Sequence, residues 1–133
     1  MFAFHADAAN LARVMPSLVP LRTSGPSRLG PGATLRFRFG PFGGTGTVVV
    51  WEPPFRFVDE QTFGPFRRWR HEHRFSEVGG ITWVTDTVQF SLRPPAHLLE
   101  PFARLLVRVI LTVKLRRTKA VLEAAAATEP SPS

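Results

Sequence analysis

The chain lacks two residue types entirely: its 133 residues include no cysteine and no tyrosine. The absence of cysteine excludes disulfides and metal sites built on thiolates. The absence of tyrosine removes one side chain that enzymes use as a general acid or base. Long apolar runs are also missing, because Glu100, Arg104 and Arg108 interrupt the apolar segment at residues 98–113, which therefore does not predict a membrane span. The chain does not open with a basic region followed by an apolar core, so no secretory signal is predicted and the default location is cytoplasmic.

Acidic residues are few relative to basic ones, with 10 Asp and Glu against 17 Lys and Arg and a formal net charge of +7. Such a balance is common among proteins that bind nucleic acid or anionic membranes. The basic residues are nearly all arginine, however, and they are spread over the chain without forming a run. The remaining composition is that of a globular protein, with 44% hydrophobic and 20% charged residues. We therefore predict neither a nucleic-acid partner nor membrane insertion.

The most informative segment is residues 66–92, which predicts two strands joined by a tight turn at Gly79-Gly80. With these glycines at the centre of the turn, His73 lies opposite Asp86 and Phe75 lies opposite Val84. Side chains alternate along a strand, so one face of this hairpin carries Trp69, His71, His73, Phe75, Val84, Asp86, Val88 and Phe90. An apolar face with two histidines and a carboxylate set into it predicts the wall of a pocket. Trp83 falls on the other face, where we expect it to be partly exposed.

The rest of the chain predicts an α+β fold. Residues 2–15 predict short helices with Asp7 as a cap, residues 16–32 irregular structure, and residues 33–39, 47–52 and 55–62 three strands. The glycine-rich turn at residues 40–46 lacks the lysine-serine ending of a phosphate-binding loop. A five-stranded antiparallel meander follows, and a turn at residues 63–66 would point Glu60 inward, opposite Trp69. A helix over about residues 96–126 closes the fold, with its core stripe predicted at Leu98, Phe102, Leu105, Leu106, Val109, Ile110 and Val113.

Three segments resemble one known family: FAFHADAANLARVMP, FVDEQTFGPFRRWRHEHRF and GGITWVTDTVQFSL, the last followed by a proline-rich break and a long helix. They resemble the START-like proteins of the SRPBCC superfamily, which includes the birch pollen allergen fold and polyketide cyclase-like proteins, and most closely its small bacterial ligand-binding members. The resemblance implies a helix-grip fold, in which a curved antiparallel sheet wraps around the C-terminal helix. It also implies a single ligand-binding domain at residues 1–126, followed by a frayed tail at residues 127–133.

The resemblance further implies a cavity between sheet and helix for a small hydrophobic ligand, such as a lipid, fatty acid, isoprenoid or polycyclic aromatic. Combined with the strand faces above, it predicts these lining residues: Val58, Trp69, His71, His73, Phe75, Val84, Asp86, Phe90, Leu98, Phe102, Leu105 and Val109. No metal or cofactor is predicted. Members of the family usually begin with a strand ahead of the first helices, which this sequence does not show. Either the true start lies upstream of Met1 or the protein does without that strand, whose absence would leave a sheet edge unpaired.

Two other functions remain open for the histidine pair. His71 and His73 could bind iron or zinc, with Asp86 or Glu60 as third ligand. A histidine oriented by an aspartate is also a competent general acid or base, and the family includes cyclases and dehydratases. We favour ligand binding, with His73 hydrogen-bonded to Asp86, because the resemblance implies no metal and no serine or threonine lies beside the pair as a nucleophile. The hydrogen bond predicts a raised pKa for His73.

Self-association is predicted from the C-terminal helix. Leu111, Leu115 and Leu122 project opposite the predicted core stripe, where a monomer offers them no contact. Together with the missing opening strand, they predict a homodimer. The alternative is that the N-terminal helices fold back over this face.

Overall fold

The structure is a computed structural model that describes residues 1–16 and 21–129. Six strands form one antiparallel sheet in chain order: β1 (Leu21–Ser24), β2 (Thr34–Phe39), β3 (Phe42–Glu52), β4 (Arg56–Phe63), β5 (Phe66–Val78) and β6 (Ile81–Leu92). Two short helices precede the sheet, α1 (Phe2–His5) and α2 (Ala8–Val14), and Asp7 caps α2 as predicted by accepting from the N–H of Ala9. A 3-10 turn (Ala96–Leu99) leads into the long helix α3 (Glu100–Thr128). The predicted α+β class, with a curved sheet and a long C-terminal helix, is confirmed.

Two strand boundaries differ from the prediction. β1 lies within the segment predicted to be irregular, although residues 17–20 of that segment lie outside the described residues. β3 begins at Phe42 rather than at residue 47, because Phe42 pairs with Phe39 and leaves only two residues in the turn. The glycines that follow are strand residues. A Cβ on Gly44 would lie 2.5 Å from Cζ of Phe37, so glycine here permits a close approach of the Phe37 ring on the neighbouring strand β2.

The hairpin of β5 and β6 has the predicted register from its turn as far as the pair of Arg68 and Ser91, beyond which a bulge shifts the pairing by one residue. Gly79 and Gly80 form its turn with φ values of +59° and +75°, the left-handed conformation that a two-residue turn between twisted strands requires. His73 lies opposite Asp86, as predicted from the turn alone. Trp83 is on the outer face and 60% exposed, which confirms the prediction for it.

The pairing of β4 with β5 is shifted by one residue from the predicted register. Asp59 lies opposite His71, and Glu60 lies opposite Arg70 rather than Trp69. The shift arises at the turn, where the side chain of Gln61 forms two hydrogen bonds with the backbone of Phe66. It donates to the Phe66 carbonyl at 2.7 Å and accepts from the Phe66 N–H at 3.4 Å. One additional residue is thereby accommodated before the strands pair. Asp59, which was not among the predicted site residues, therefore faces the same side as the histidines.

The inner face of the sheet is covered from two directions. The ring of Phe2 in α1 makes edge contacts with Trp51, Phe57 and Phe75, with ring centroids 5.0–5.6 Å apart. Val48, Phe57 and Phe75 form the buried apolar core beneath α1. α3 covers the side of the sheet near β6. None of the described helices is long and apolar enough to cross a membrane.

The rotation of α3 about its axis is opposite to the predicted one. Lys114 and Thr118, each 2% exposed, are its buried residues, and Val107 and Leu111 are half-buried beside them. Five members of the predicted core stripe are exposed instead, namely Leu98, Phe102, Leu105, Leu106 and Val109, whereas Ile110 and Val113 are half-buried. The predictions for the two faces of this helix were therefore wrong, because an ion pair to Lys114 holds the other face against the sheet.

Candidate functional site

Beneath α1 and α3, the inner face of the sheet carries a group of ionisable side chains that we call the polar cluster: Asp59, His71, His73, Asp86 and Lys114. The Nδ1 of His73 lies 2.9 Å from Oδ1 of Asp86, and its Nε2 lies 3.3 Å from Oδ2 of Asp59. Nζ of Lys114 donates to Oδ2 of Asp86 at 2.7 Å. Four side chains from three strands and one helix are thus joined in a continuous chain of hydrogen bonds.

His73 is the centre of this chain, and its two partners determine its protonation. Both are carboxylates that can only accept, so both ring nitrogens of His73 donate and the ring is an imidazolium. Burial alone would lower the pKa of His73, but the hydrogen bonds to Asp59 and Asp86 outweigh burial and raise it. The predicted hydrogen bond between His73 and Asp86, and the direction of the pKa shift, agree with this geometry.

Asp86 is the most enclosed carboxylate of the cluster, with its side chain 1% exposed. Burial opposes its ionisation, but the neighbouring His71, His73 and Lys114 hold the pKa of this carboxyl far below its usual range. With Asp59 and Asp86 ionised, His73 and Lys114 supply two positive charges, and the four groups are electrically neutral together. Neutrality and complete pairing are the conditions under which buried charges are tolerated.

Two histidines that are not part of this series of hydrogen bonds, His71 and His5, lie beside it and are uncharged. Burial and the charge of His73 lower the pKa of His71, whose ring lies 3.8 Å from that of His73. Its Nε2 is buried and has no hydrogen-bond partner among the described residues, since the carboxylate oxygen of Asp86 is 3.7 Å away. Burial and nearby Lys114 lower the pKa of His5 to about 4. Nδ1 of His5 donates to the carbonyl of Met1 at 3.2 Å, and within the described part of the chain its buried Nε2 also has no partner.

A groove of about 410 Å³ lies between β6 and α3, next to the polar cluster. It is open to solvent and has an apolar middle, with Asp86 and two arginines among its polar lining residues. The strand contributes Asp86, Thr87, Val88 and Phe90, and the helix contributes Arg104, Val107, Arg108, Leu111, Thr112 and Leu115. Leu111 and Leu115, expected to face solvent, thus line this groove.

The predicted lining residues fall into three groups. Asp86 and Phe90 line the groove, and five more share the inner face with them: Trp69, His71, His73, Phe75 and Val84. Val58 is fully buried, but in the strand register it lies opposite Glu72 and therefore points to the outer face. The prediction that it lines the cavity was wrong because β4 is shifted by one residue. At the C-terminal helix and the 3-10 turn before it, the prediction was wrong because of the helix rotation, which leaves four residues on the solvent side: Leu98, Phe102, Leu105 and Val109.

Two residues of the cluster were not anticipated from the sequence. Asp59 was left undecided between the two faces of β4, and only the pairing with His71 determines its direction. Lys114 carried only a weak signal: it lies three residues from Leu111 and four from Thr118 on one helix face, but Arg116, Arg117 and Lys119 follow closely, so its charge alone did not distinguish it.

Comparison with known proteins gives a family and two similar folds. A family model described as "Polyketide cyclase / dehydrase and lipid transport" matches residues 1–114. The crystal structure of TTHA0849 from Thermus thermophilus is similar with a TM-score of 0.75 and 19% identity, over 92% of this chain and 86% of that one. Protein Ms6760 from Mycobacterium smegmatis is similar with a TM-score of 0.65 and 21% identity, over 92% of this chain and 81% of that one. At these identities the two structures show the fold alone. A comparison with curated proteins gave no match.

Proposed function

This chain belongs to the polyketide cyclase/dehydrase and lipid transport family, and we propose that it binds one small hydrophobic ligand in the groove between β6 and α3. The predicted membership of the SRPBCC superfamily is confirmed by the family match. The family supports a ligand-binding fold of the SRPBCC type. We take residues 1–126 as the ligand-binding domain, and a cytoplasmic location stays a prediction.

The observation that carries the proposal is the lining of the groove. Its volume of about 410 Å³ lies within the range of roughly 300–1,000 Å³ that small-molecule sites occupy. Apolar side chains from both walls, including Val88, Phe90 and Leu111, would contact the body of a ligand. Arg104 and Arg108, which line the groove at its helix wall, are the charged groups that would orient it. A lipid, fatty acid, isoprenoid or polycyclic aromatic has the required apolar body.

Two measurements test this proposal. Native mass spectrometry of the protein purified from its own host should show a bound mass that identifies the ligand class. In parallel, binding of the fluorescent fatty acid cis-parinaric acid should weaken at least about tenfold in Leu111→Trp, because the larger side chain fills the groove. Arg116→Trp, at an exposed position of the same helix outside the groove, is the control and should bind as the parent does. Equal affinities in the two variants, with no copurifying mass, would contradict the proposal.

A second candidate function is cyclase- or dehydratase-type catalysis in the same place, and the unpartnered Nε2 of His71 favours it. His73 donates from both nitrogens and has no lone pair to accept a proton. His71 is neutral, so it is the better general base of the two. Turnover of an added polyketide-like substrate that is lost in His71→Gln would support catalysis, whereas ligand binding without turnover would support a binding protein.

A homodimer is the partner we propose besides the ligand, formed through an exposed apolar face that runs from the 3-10 turn into α3. This face comprises Leu98 and Leu99 of the turn and Phe102, Leu105, Leu106 and Val109 of α3, each about half exposed or more. It replaces the predicted surface at Leu111, Leu115 and Leu122, which are half-buried in this structure. Light scattering at micromolar concentration should give a dimer mass that Leu105→Glu with Val109→Glu converts to a monomer mass. A monomer mass for the parent protein would rule out this partner.

A further inference from the structure

We propose that Asp59, His71 and His73 bind a divalent transition metal ion such as Zn²⁺, independently of the hydrophobic groove. One ligating atom from each residue lies within 4.8 Å of the other two. Ligands at about 2.0 Å from a tetrahedral zinc are roughly 3.3 Å from each other. Nε2 of His73 and Oδ2 of Asp59 are already 3.3 Å apart, so these two atoms have the spacing of a shared ion.

The third ligand is the unpartnered imidazole of His71. This residue is 9% exposed, and its Nε2 has no hydrogen bond among the described residues. A buried nitrogen without a partner loses the hydrogen bond that it would have in water, and that loss destabilises the folded protein. A metal ion between His71, His73 and Asp59 would use this lone pair.

The surroundings of His73 match those of a metal-ligating histidine. Ligating imidazoles almost always donate their other N–H to a carboxylate, a backbone carbonyl or water, which fixes the ring and its tautomer. Nδ1 of His73 donates to Asp86 at 2.9 Å, and Lys114 holds the second oxygen of Asp86 at 2.7 Å. Nε2 of His73 is thereby directed at Asp59. The metal would take the place of the proton that Nε2 carries in the metal-free protein.

The ligand set limits which ions fit. Two imidazole nitrogens and one carboxylate suit Zn²⁺, Fe²⁺ or Co²⁺, whereas Mg²⁺ and Ca²⁺ require mostly oxygen ligands. Three protein ligands leave a position for water or a substrate atom, as in catalytic rather than structural zinc sites. The side chain of Asp59 is 28% exposed, which gives an ion a route from solvent.

Cobalt and zinc titrations of chelator-treated full-length protein test the site. One equivalent of Co²⁺ should produce visible ligand-field absorption, and Zn²⁺ should displace it with a calorimetric stoichiometry of one. Mg²⁺ should do neither. His71→Gln should weaken Zn²⁺ binding about 100-fold, and Asp86→Asn, which acts through His73, about 10–100-fold. His97→Gln is the matched control, because His97 is exposed on the 3-10 turn and should leave binding unchanged.

Three results would overturn the metal site: no cobalt absorption, equal loss of affinity in His71→Gln and His97→Gln, or binding of Mg²⁺ as tight as that of Zn²⁺. Circular dichroism and urea unfolding would show whether His71→Gln folds. Asp59→Asn is the second variant, since its partly exposed side chain tolerates replacement more easily. Binding of cis-parinaric acid to the metal-free protein is a separate readout, so failure of the metal site would leave the proposed function intact.

Discussion

Replacing Asp86 with asparagine is the most informative perturbation of the polar cluster. The carboxylate is 1% exposed and contacts His73 and Lys114 directly, and the Lys114 side chain is 3% exposed. Asparagine has the same shape but no charge, so Asp86→Asn leaves the Lys114 ammonium buried without an anion. Removing one partner of a buried ion pair typically costs about 3–5 kcal/mol, because the remaining charge is uncompensated.

The expected loss is large enough to measure by equilibrium unfolding in urea. With a urea dependence of roughly 1–3 kcal/mol per molar, Asp86→Asn should lower the midpoint by on the order of 1–5 M. Glu60→Gln is the matched control. Glu60 pairs with Arg70 on the opposite face of the sheet, where both side chains are about one third exposed. That variant should lose less than about 1 kcal/mol.

A double-mutant cycle separates the ion pair from the general cost of altering a buried site. Lys114→Met removes the cation but leaves Asp86 with its imidazolium partner, so the single replacement should cost less than Asp86→Asn. The double variant should be more stable than the sum of the two losses predicts, by up to about 3 kcal/mol. Additive losses, or an Asp86→Asn variant no less stable than Glu60→Gln, would refute the assignment of Asp86 and Lys114 as a buried pair.

Three further predictions follow from single contacts. In the metal-free protein, Asp86→Asn should lower the pKa of His73 in an NMR titration, because one of the two carboxylates beside the ring loses its charge. An unchanged pKa would contradict the hydrogen bond between His73 and Asp86. The stability that this bond contributes is present at low pH and is lost as the pH rises through the raised pKa of His73. The opposite sign holds for His5, whose folded pKa of about 4 lies below its ordinary value of 6.5. The free energy of unfolding should therefore fall by about 2 kcal/mol between pH 7 and pH 5, and urea unfolding of His5→Gln should not show this fall. Gly44→Ala should destabilise by about 1–3 kcal/mol in thermal unfolding, because its Cβ would lie 2.7 Å from a β4 backbone oxygen, whereas Gly43→Ala, with 3.6 Å to its nearest neighbour, should be far milder.

The parts of the fold that the sequence predicts correctly are those governed by local geometry. Two consecutive glycines define the turn of the β5–β6 hairpin, and alternation then places His73 opposite Asp86 without any long-range information. β4 has no such marker. Its register depends on Gln61 contacting the backbone of Phe66, a tertiary interaction that residue types alone do not reveal. The one-residue shift is enough to exchange Asp59 for Glu60 on the inner face.

The candidate site was predictable to the same extent. The three members on the hairpin, His71, His73 and Asp86, were found because they share one face of adjacent strands. Asp59 and Lys114 were missed because each reaches the cluster from an element whose register or rotation is set by tertiary contacts. Without them the site is two histidines beside one aspartate, with His73 paired to Asp86 alone. With them the site is a balanced set of two anions and two cations. Asp59 is then both the second carboxylate partner of His73 and the carboxylate ligand of the proposed metal site.

The rotation of α3 about its axis determines both which residues form the buried ion pair and which apolar face is left for the proposed homodimer. Turning the helix by half a turn would bury Leu98, Phe102, Leu105 and Val109, and each such side chain gains about 1.5–3 kcal/mol on full burial. The same rotation would expose Val107, Leu111 and Leu115, which face β6 in this structure, and would separate Lys114 from Asp86. The two orientations thus exchange one set of apolar side chains for another, and only the observed one keeps the buried ion pair. In the proposed homodimer a second copy of this helix would cover the outward apolar face without breaking that pair. It follows that Leu105→Glu with Val109→Glu should dissociate the dimer yet leave the contact between Lys114 and Asp86 in place, since a charged outer face no longer competes for the sheet.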